Sequence, residues 1–238
     1  MLINQKAINR FQVDNADKDI TPFSFTNKDI TYEKTVDEKA SSNVIVDNVL
    51  SAKRTDVINR AKAMAEVKWI PKYDIKSTDS NYTFTRGKTY TGIPYTMGIY
   101  QVHSVGDFST KIKNSKVLYG NDCSGFVSTA WGISRQTTLT IFNSVKYGTK
   151  LDGHLITQIS WEELKAGDAL LKDNGKGEGH IILYYSTDIK SSDNIYVYEQ
   201  NVSTVVPFAP LPAARKDIRS KAKLKEYGYI PIRLEGLN

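Results

Sequence analysis

Cys123 is the residue best suited to covalent chemistry, because it is the one cysteine of this 238-residue chain. Asp122 precedes it and is a typical helix cap. Apolar residues follow at helical spacing and should face the core: Phe126, Val127, Ala130 and Trp131. A sulfur at a helix N-terminus meets main-chain N–H groups and the positive end of the helix dipole, which favours the thiolate. The alternative at this position is a buried, unreactive cysteine that begins a core helix.

A thiolate that attacks a carbonyl needs a base, and the chain holds three histidines. His180 opens an apolar strand directly after a glycine-rich loop, so the strand would hold the imidazole while the loop leaves it accessible. His103 and His154 lie in polar, loop-like surroundings, where surface histidines are the better interpretation. We therefore assign the base to His180.

The base in turn needs a group that orients it, and the strand from residue 195 to 201 offers three. Alternation places Glu199 on the same face as two aliphatic residues and Gln200 on the opposite face. If the aliphatic face is inward, Glu199 is buried and requires a partner. We expect the adjacent antiparallel strand, which starts at His180, to supply it. Gln200 and Asn201 are rivals for this role.

Three motifs in this order, Asp-Cys-Ser-Gly, Leu-Lys-Ala-Gly-Asp and Gly-His, resemble the NlpC/p60-type peptidoglycan cysteine peptidases over residues 55 to 235. The resemblance implies an α+β, papain-like fold with a central antiparallel sheet and the nucleophile at the N-terminus of a packed helix. It implies that Cys123 is the nucleophile and His180 the base. It also implies cleavage of peptidoglycan stem peptides, commonly between D-glutamate and a diamino acid.

The third residue departs from that family, in which it is usually His, Asn or Gln. The run Glu-Gln-Asn here is more similar to the related CHAP-type amidases and peptidases, in which the glutamate has this role. We therefore assign Glu199 first and Gln200 second, with Gln200 also a candidate for substrate binding. The resemblance further implies substrate-binding roles for three residues around the cysteine: Tyr119, Asp122 and Ser124.

The elements that position these residues are expected to follow a weakly structured extension. Residues 1–50 are polar and form this extension, and residues 51–238 form the catalytic domain. The spacing predicts a helix from Asp56 to about Val67 with Thr55 as its cap. A hairpin is predicted around Arg86-Gly87. Tyr95 follows in a loop, either as a groove residue or as a packed surface aromatic.

The second half of the chain predicts the sheet. A short helix is expected from Trp161, followed by a strand, and the strands that start at His180 and at Ile195 come next. The segment from Arg215 to Lys225 is a basic helix candidate. A terminal strand carries Pro231, which predicts a position at the sheet edge.

Composition limits the function further. The net charge is +6 and the pI about 9.1, without zinc-finger spacing or an RNA-binding signature, which favours an anionic cell wall over nucleic acid. A single cysteine excludes an intramolecular disulfide and a four-cysteine zinc site. We expect no metal, no cofactor and no membrane span, and the oligomeric state stays open.

These expectations leave two questions open: the compartment of the protein and the reaction that it catalyses. The N-terminus lacks the apolar region of a signal peptide, so either the protein stays in the cytoplasm or its export signal is missing from this chain. A wall hydrolase is expected in the secreted or cell-envelope fraction. The alternatives to an endopeptidase are an N-acetylmuramoyl-L-alanine amidase and a catalytically inactive wall-binding module.

Overall fold

The computed structural model describes residues 52–201 and 211–237, together with the backbone of Val44–Ile45. The described residues form five helices: α1 (Ala52–Glu66), α2 (Val105–Ile112), α3 (Cys123–Trp131), α4 (Thr138–Tyr147) and α5 (Lys221–Glu226). They also form eleven strands: β1 (Val44–Ile45), β2 (Lys68–Trp69), β3 (Ile75–Lys76), β4 (Thr83–Phe84), β5 (Tyr90–Thr91), β6 (Ile156–Gln158), β7 (Ala169–Asp173), β8 (Gly179–Asp188), β9 (Ser191–Gln200), β10 (Ala214–Ser220) and β11 (Ile230–Leu234).

The main sheet is antiparallel, and its strands lie in the order β10-β9-β8-β7-β11-β6. The short strand β1 adds a seventh member by pairing with β8. The mixture of helices with an antiparallel sheet confirms the coarse α+β expectation. None of the described helices combines the length and apolar character needed to cross a membrane.

The sheet buries both of its faces, because successive side chains of a strand point to opposite sides. On the face that we call the helix face, Leu171, Ile181 and Leu183 belong to one apolar cluster with residues of α3 and α4. On the face that we call the tyrosine face, Ile182 packs with Tyr229 of the segment before β11. Each aliphatic side chain so buried contributes roughly 1.5–3 kcal/mol. The two apolar layers therefore fix which residues of β8 face α3.

Helix α3 begins and ends where the sequence predicts. Asp122 is the N-cap, and Gly132 ends the helix in the left-handed conformation with φ 78°. The apolar residues expected to face the core are all buried: Phe126, Val127, Ala130 and Trp131. A left-handed residue after the last helical turn favours glycine, so this helix is defined at both ends by local sequence.

Two expectations for the N-terminal half need correction, and a third lies outside the described residues. The extension 1–50 lies outside the described residues, apart from β1. Helix α1 starts at Ala52, before the expected cap Thr55, and within it Arg54 is anchored to the carbonyl of Ala166 at 2.7 Å. No hairpin forms around Arg86-Gly87, because β4 pairs with β3 and β5 pairs with β2.

Aromatic packing explains why the hairpin prediction is wrong. Trp69 of β2 lies between Phe84 and Tyr90, with ring centroids 5.1 and 5.4 Å away. Phe84 and Tyr90 are themselves in edge contact at 5.0 Å. Three rings from three short strands thus bury one another, and such pairs contribute about 0.5–1.5 kcal/mol beyond area burial.

The C-terminal half also differs from expectation in three places. The segment from Trp161 forms turns rather than a helix. The stretch Arg215–Lys225 is not one helix but is divided between β10 and α5. Its arginines, Arg215 and Arg219, lie in β10 and bind the buried carboxylate of Glu199 in β9. Pro231 does not mark an edge, because β11 lies between β7 and β6. Its carbonyl accepts from Ile159, which lies opposite it, but Pro231 has no N–H to donate in return, and the β6 ladder ends at the neighbouring pair Ile232–Gln158.

Candidate active site

Cys123 is the first residue of α3, and Asp122 holds the head of that helix together. The Asp122 carboxylate accepts from the main-chain N–H of Gly125 at 2.6 Å and from the Ser124 hydroxyl at 3.0 Å. It also forms an ion pair with Arg135. The bond from Gly125 satisfies one of the main-chain N–H groups that a helix end leaves unpaired. Asp122 is therefore a helix cap and Ser124 one of its hydrogen-bond donors, and their substrate-binding roles stay predictions.

The Cys123 sulfur lies close to three main-chain N–H groups, those of Cys123, Ser124 and Ile181. The side chain is only 4% exposed. Burial and, to a smaller extent, the charge of Asp122 raise the pKa of Cys123 to about 12, although the three N–H groups act in the opposite direction. Desolvation therefore outweighs the helix terminus, and the thiol is protonated at neutral pH in this arrangement. This differs from the thiolate that the helix position alone would favour.

His180 is the second residue of β8 and lies opposite Lys172 of β7. Strand alternation places it with Ile182 on the tyrosine face, and its ring meets Tyr229 edge-to-face with centroids 6.5 Å apart. The neighbouring residue Ile181 belongs to the helix face and offers its N–H to the Cys123 sulfur. The structure thus brings the sulfur to the main chain next to His180, whereas the imidazole lies on the other face of the sheet.

Glu199 is fully buried on the tyrosine face, as alternation predicts. Its partners differ from the expected ones, because Arg215 and Arg219 of β10 form ion pairs with it. Burial by itself raises the pKa of Glu199, but the two guanidinium groups lower it below the ordinary value. The strand after β9 therefore supplies the cations that we expected from the strand of His180. Their spacing of four residues, with Asp217 between them, is the sequence signal that points to this cluster.

Gln200 lies on the helix face and is fully buried. Its side-chain nitrogen Nε2 donates to the carbonyls of Ile93 and Pro94 at 2.9 and 2.6 Å. Its oxygen Oε1 is buried and has no hydrogen-bond partner among the described residues. Gln200 is thus a residue of the thiol side, and it offers an acceptor there.

Tyr95 is buried next to the thiol. It is 3% exposed and forms an isolated bridge with Asn121, two residues before Cys123. Burial raises the pKa of Tyr95, and the nearby Cys123 and Asp122 raise it further. Tyr95 is consequently not a surface aromatic, and its role in a substrate groove stays a prediction. It forms part of the wall around the sulfur.

Tyr119 is half-buried and stands edge-to-face with Tyr100 at 5.2 Å. Tyr100 is 39% exposed and follows Ile99, the most exposed of the large apolar side chains in the described part of the chain. The ammonium of Lys111 lies 5.8 Å from the Tyr119 ring centre. The sequence analysis selected Tyr119 but not Tyr100, whose only sequence signal is an aromatic residue that follows Ile99.

Asp168, the last residue of the Leu-Lys-Ala-Gly-Asp motif, binds two arginines. Arg54 of α1 donates to it at 3.0 Å, and Arg233 of β11 donates to it at 2.9 and 2.7 Å. The carboxylate is fully buried. This motif therefore joins the first helix to the last strand, and its aspartate is structural.

Among residues 52–201 and 211–237, no group of three or more His, Cys, Asp or Glu side chains is arranged to hold a metal ion.

The chain matches no family model, no curated protein and no solved structure.

Proposed function

We propose that this protein is a cysteine hydrolase of papain-like type that cleaves peptide bonds in peptidoglycan stem peptides. The observation that carries the proposal is the position of the Cys123 sulfur. It lies at the head of a capped helix, within reach of three main-chain N–H groups, one of which follows His180 directly. Donors so placed can stabilise negative charge on a sulfur or on a carbonyl oxygen.

The proposed reaction is acyl transfer. His180 takes the proton of the Cys123 thiol, and the sulfur attacks the carbonyl of the stem peptide. Helix N-terminal N–H groups, including that of Cys123, hold the oxyanion. The imidazolium then gives its proton to the leaving amine, and water hydrolyses the thioester and regenerates the thiol. Because the resting thiol is protonated and the imidazole lies against Tyr229, this sequence starts with a movement of His180 to the helix face.

The substrate class is supported by the resemblance of the three motifs and by charge. A net charge of +6 suits an anionic wall, and such a substrate places the protein outside the cytoplasm or in the cell envelope. The exposed ring of Tyr100 and the half-buried ring of Tyr119 lie on the chain segments that lead to the cysteine. They offer an apolar surface on which a stem peptide can pack.

The experiment is digestion of purified muropeptides followed by mass analysis. A D-glutamyl–diamino acid endopeptidase releases fragments with a new N-terminal diamino acid. An N-acetylmuramoyl-L-alanine amidase releases sugar chains and intact stem peptides. Cys123→Ala should abolish turnover, whereas His154→Ala, a histidine away from the proposed dyad, should retain it. Full turnover by Cys123→Ala would exclude the proposed nucleophile.

A second candidate function is a wall-binding module without catalysis. It is favoured by the near-complete burial of the Cys123 sulfur and by its raised pKa. This candidate predicts that the wild type sediments with purified walls, releases no fragments and leaves Cys123 unlabelled by a thiol probe at pH 7 in the presence of wall. Labelling that increases when muropeptides are added would support the hydrolase instead.

A further inference from the structure

Arg135 lies against the first turn of α3, the helix that begins with Cys123. Its Nη2 forms an ion pair with the carboxylate of Asp122, the N-cap of that helix. A Cβ atom at Gly125 would lie 3.5 Å from Arg135 Nε and 3.3 Å from the side-chain oxygen of Gln101. Glycine at this position therefore leaves room for the guanidinium to pack directly on the helix head.

The main chain on both sides of Arg135 is held in place. Ser134, which precedes it, donates its N–H and its hydroxyl to the carboxylate of Asp152. Asp152 itself has a positive φ of 49°, which is uncommon for a residue other than glycine. Gln136, which follows Arg135, donates its N–H to the hydroxyl of the buried Ser128 at 3.0 Å. Because this loop is already ordered, a ligand of Arg135 would pay little to order it.

The side chain of Arg135 is oriented by a second, neutral partner. Arg135 Nε donates to Gln101 Oε1 at 3.3 Å. The Gln101 amide is itself fixed, because its Nε2 donates to the carbonyls of Thr96 and Gly98 at 2.7 and 2.8 Å. One bond at Nε and one at Nη2 thus set the plane of the guanidinium, and a fixed plane is what lets arginine recognise planar groups.

Part of this guanidinium remains available to a ligand. The third nitrogen, Nη1, has no hydrogen-bond partner among residues 52–201 and 211–237. The Arg135 side chain is 32% exposed, so solvent and solutes reach it. A guanidinium binds a carboxylate through charge-assisted hydrogen bonds, which are stronger than neutral ones. The unused donors of Arg135 therefore suit a carboxylate.

Arg135 and the Cys123 sulfur lie around one tyrosine. Burial is the main cause of the raised pKa of Tyr95, and the nearby Cys123 and Asp122 raise it further, whereas the charge of Arg135 lowers it. The thiol and the guanidinium are therefore both close enough to Tyr95 for their charges to act on it. A peptide whose carbonyl meets the sulfur can place a neighbouring carboxylate at Arg135.

We propose that Arg135 is a specificity-determining residue that binds a carboxylate of the stem peptide beside the bond that Cys123 attacks. This inference rests on the proposed function. D-glutamate that is linked through its γ-carboxyl keeps a free α-carboxylate next to that bond. Amidation converts this group to a carboxamide of similar shape without the negative charge. Arg135 therefore favours stem peptides whose D-glutamate is not amidated.

The test compares kcat and KM for two muropeptides that differ only in amidation of the D-glutamate α-carboxylate. The wild type should have a KM about tenfold lower for the carboxylate form, since the carboxamide loses a charge-assisted hydrogen bond. Arg135→Gln should raise that KM about tenfold and leave the KM of the amidated form within about twofold. Damage to the helix head would affect both muropeptides alike, so the ratio of the two KM values reports recognition.

A matched control and a second variant separate recognition from net charge and folding. Lys113→Gln removes one positive charge at the exposed C-cap of α2 and should leave both KM values within about twofold of wild type. Arg135→Lys keeps the charge without the fork, so its preference should fall to about threefold. It replaces Arg135→Gln if that variant fails to fold. Calorimetric titration of Cys123→Ala should give the wild-type preference as a ratio of Kd values without turnover.

The proposal is overturned if the wild type shows equal KM values and Cys123→Ala equal Kd values for the two muropeptides, or if Arg135→Gln keeps the preference. Failure of the proposed function looks different. The carboxylate form would then bind more tightly than the amidated form, and neither would be cleaved. Conversely, cleavage of both muropeptides with equal kcat/KM would leave the hydrolase and remove the role of Arg135. Absence of both binding and cleavage would overturn both proposals.

Discussion

At the scale of single residues, the environment of Cys123 contains opposing influences. The helix head and the N–H of Ile181 favour a charged sulfur, whereas burial and the charge of Asp122 oppose it. The opposing influences prevail, since they raise the pKa to about 12. Position at a helix N-terminus is therefore insufficient to make a thiol reactive when the same packing removes it from water.

The raised pKa of Cys123 predicts a pH dependence of stability. The ordinary thiol pKa is 9.0, and in the folded protein it is about 12. Between these values the unfolded chain loses a proton that the folded chain keeps, so the free energy of unfolding falls as pH rises, by up to about 1.4 kcal/mol per pH unit. Urea unfolding of wild type and Cys123→Ala from pH 8 to 11 should show a steeper fall in the wild type, because buried tyrosines with raised pKa, such as Tyr95, contribute equally in both proteins. Parallel curves would refute the pKa shift.

Asp122 has two separable effects on this helix head. Asp122→Ala should cost about 1–2 kcal/mol, because it removes the cap of α3. It should also lower the pH midpoint of Cys123 alkylation, because a negative charge next to the sulfur is lost. The matched control is Thr137→Ala, which removes the cap of α4 and should cost about 1 kcal/mol without moving that midpoint. Equal midpoints in both variants would contradict the electrostatic effect of Asp122.

At the scale of elements, β9 and β10 are joined by a buried ion cluster. Glu199→Gln should lower stability by up to about 3–5 kcal/mol, since it removes the fully buried carboxylate and leaves Arg215 and Arg219 paired with Asp217. The folded pKa of Glu199 is depressed, so its contribution is present above the ordinary value of 4.5 and is lost as pH falls below it. Thermal melts from pH 7 to 3 should therefore converge for wild type and variant. A constant difference would show that Glu199 does not titrate as this cluster requires.

The sequence was sufficient for elements whose signals are local. The cap at Asp122, the helix that follows and the glycine at its end are specified within ten residues, and α3 was correctly predicted. Alternation in β9 correctly buried Glu199. The hairpin at Arg86-Gly87 was wrong because its strands pair with β2 and β3, which depends on distant aromatic packing.

The residues of the candidate site stay a prediction, and their geometry was not foreseen. Sequence order selected Cys123, His180 and the Glu-Gln pair, but of these partners the structure places only Gln200 on the face of the thiol. The face on which His180 lies depends on the packing of Ile181 and Leu183 against α3, because a one-residue difference in a strand reverses every side chain. No local pattern contains that information.

At the scale of the whole molecule, Asp168 connects the first described helix with the last strand. Asp168→Asn should destabilise the protein by about 3–5 kcal/mol, since Arg54 is left buried without its charge partner and Arg233 loses its carboxylate. The control is Asp107→Asn, which breaks a half-exposed pair with Lys111 and should cost no more than about 1 kcal/mol. Urea unfolding of both variants measures the contrast. Similar losses would show that the Asp168 network does not hold these elements together.

The proposed activity requires that Cys123 accepts the acyl group of a wall peptide. The most direct measurement is the intact mass of the protein after rapid acid quenching of a muropeptide digestion, followed by peptide mapping. We predict an added mass equal to the acyl fragment of the cleaved peptide, located on Cys123, and no such adduct on Cys123→Ala. Cleavage of muropeptides by Cys123→Ala at the wild-type rate, or an acyl adduct on another residue, would contradict it.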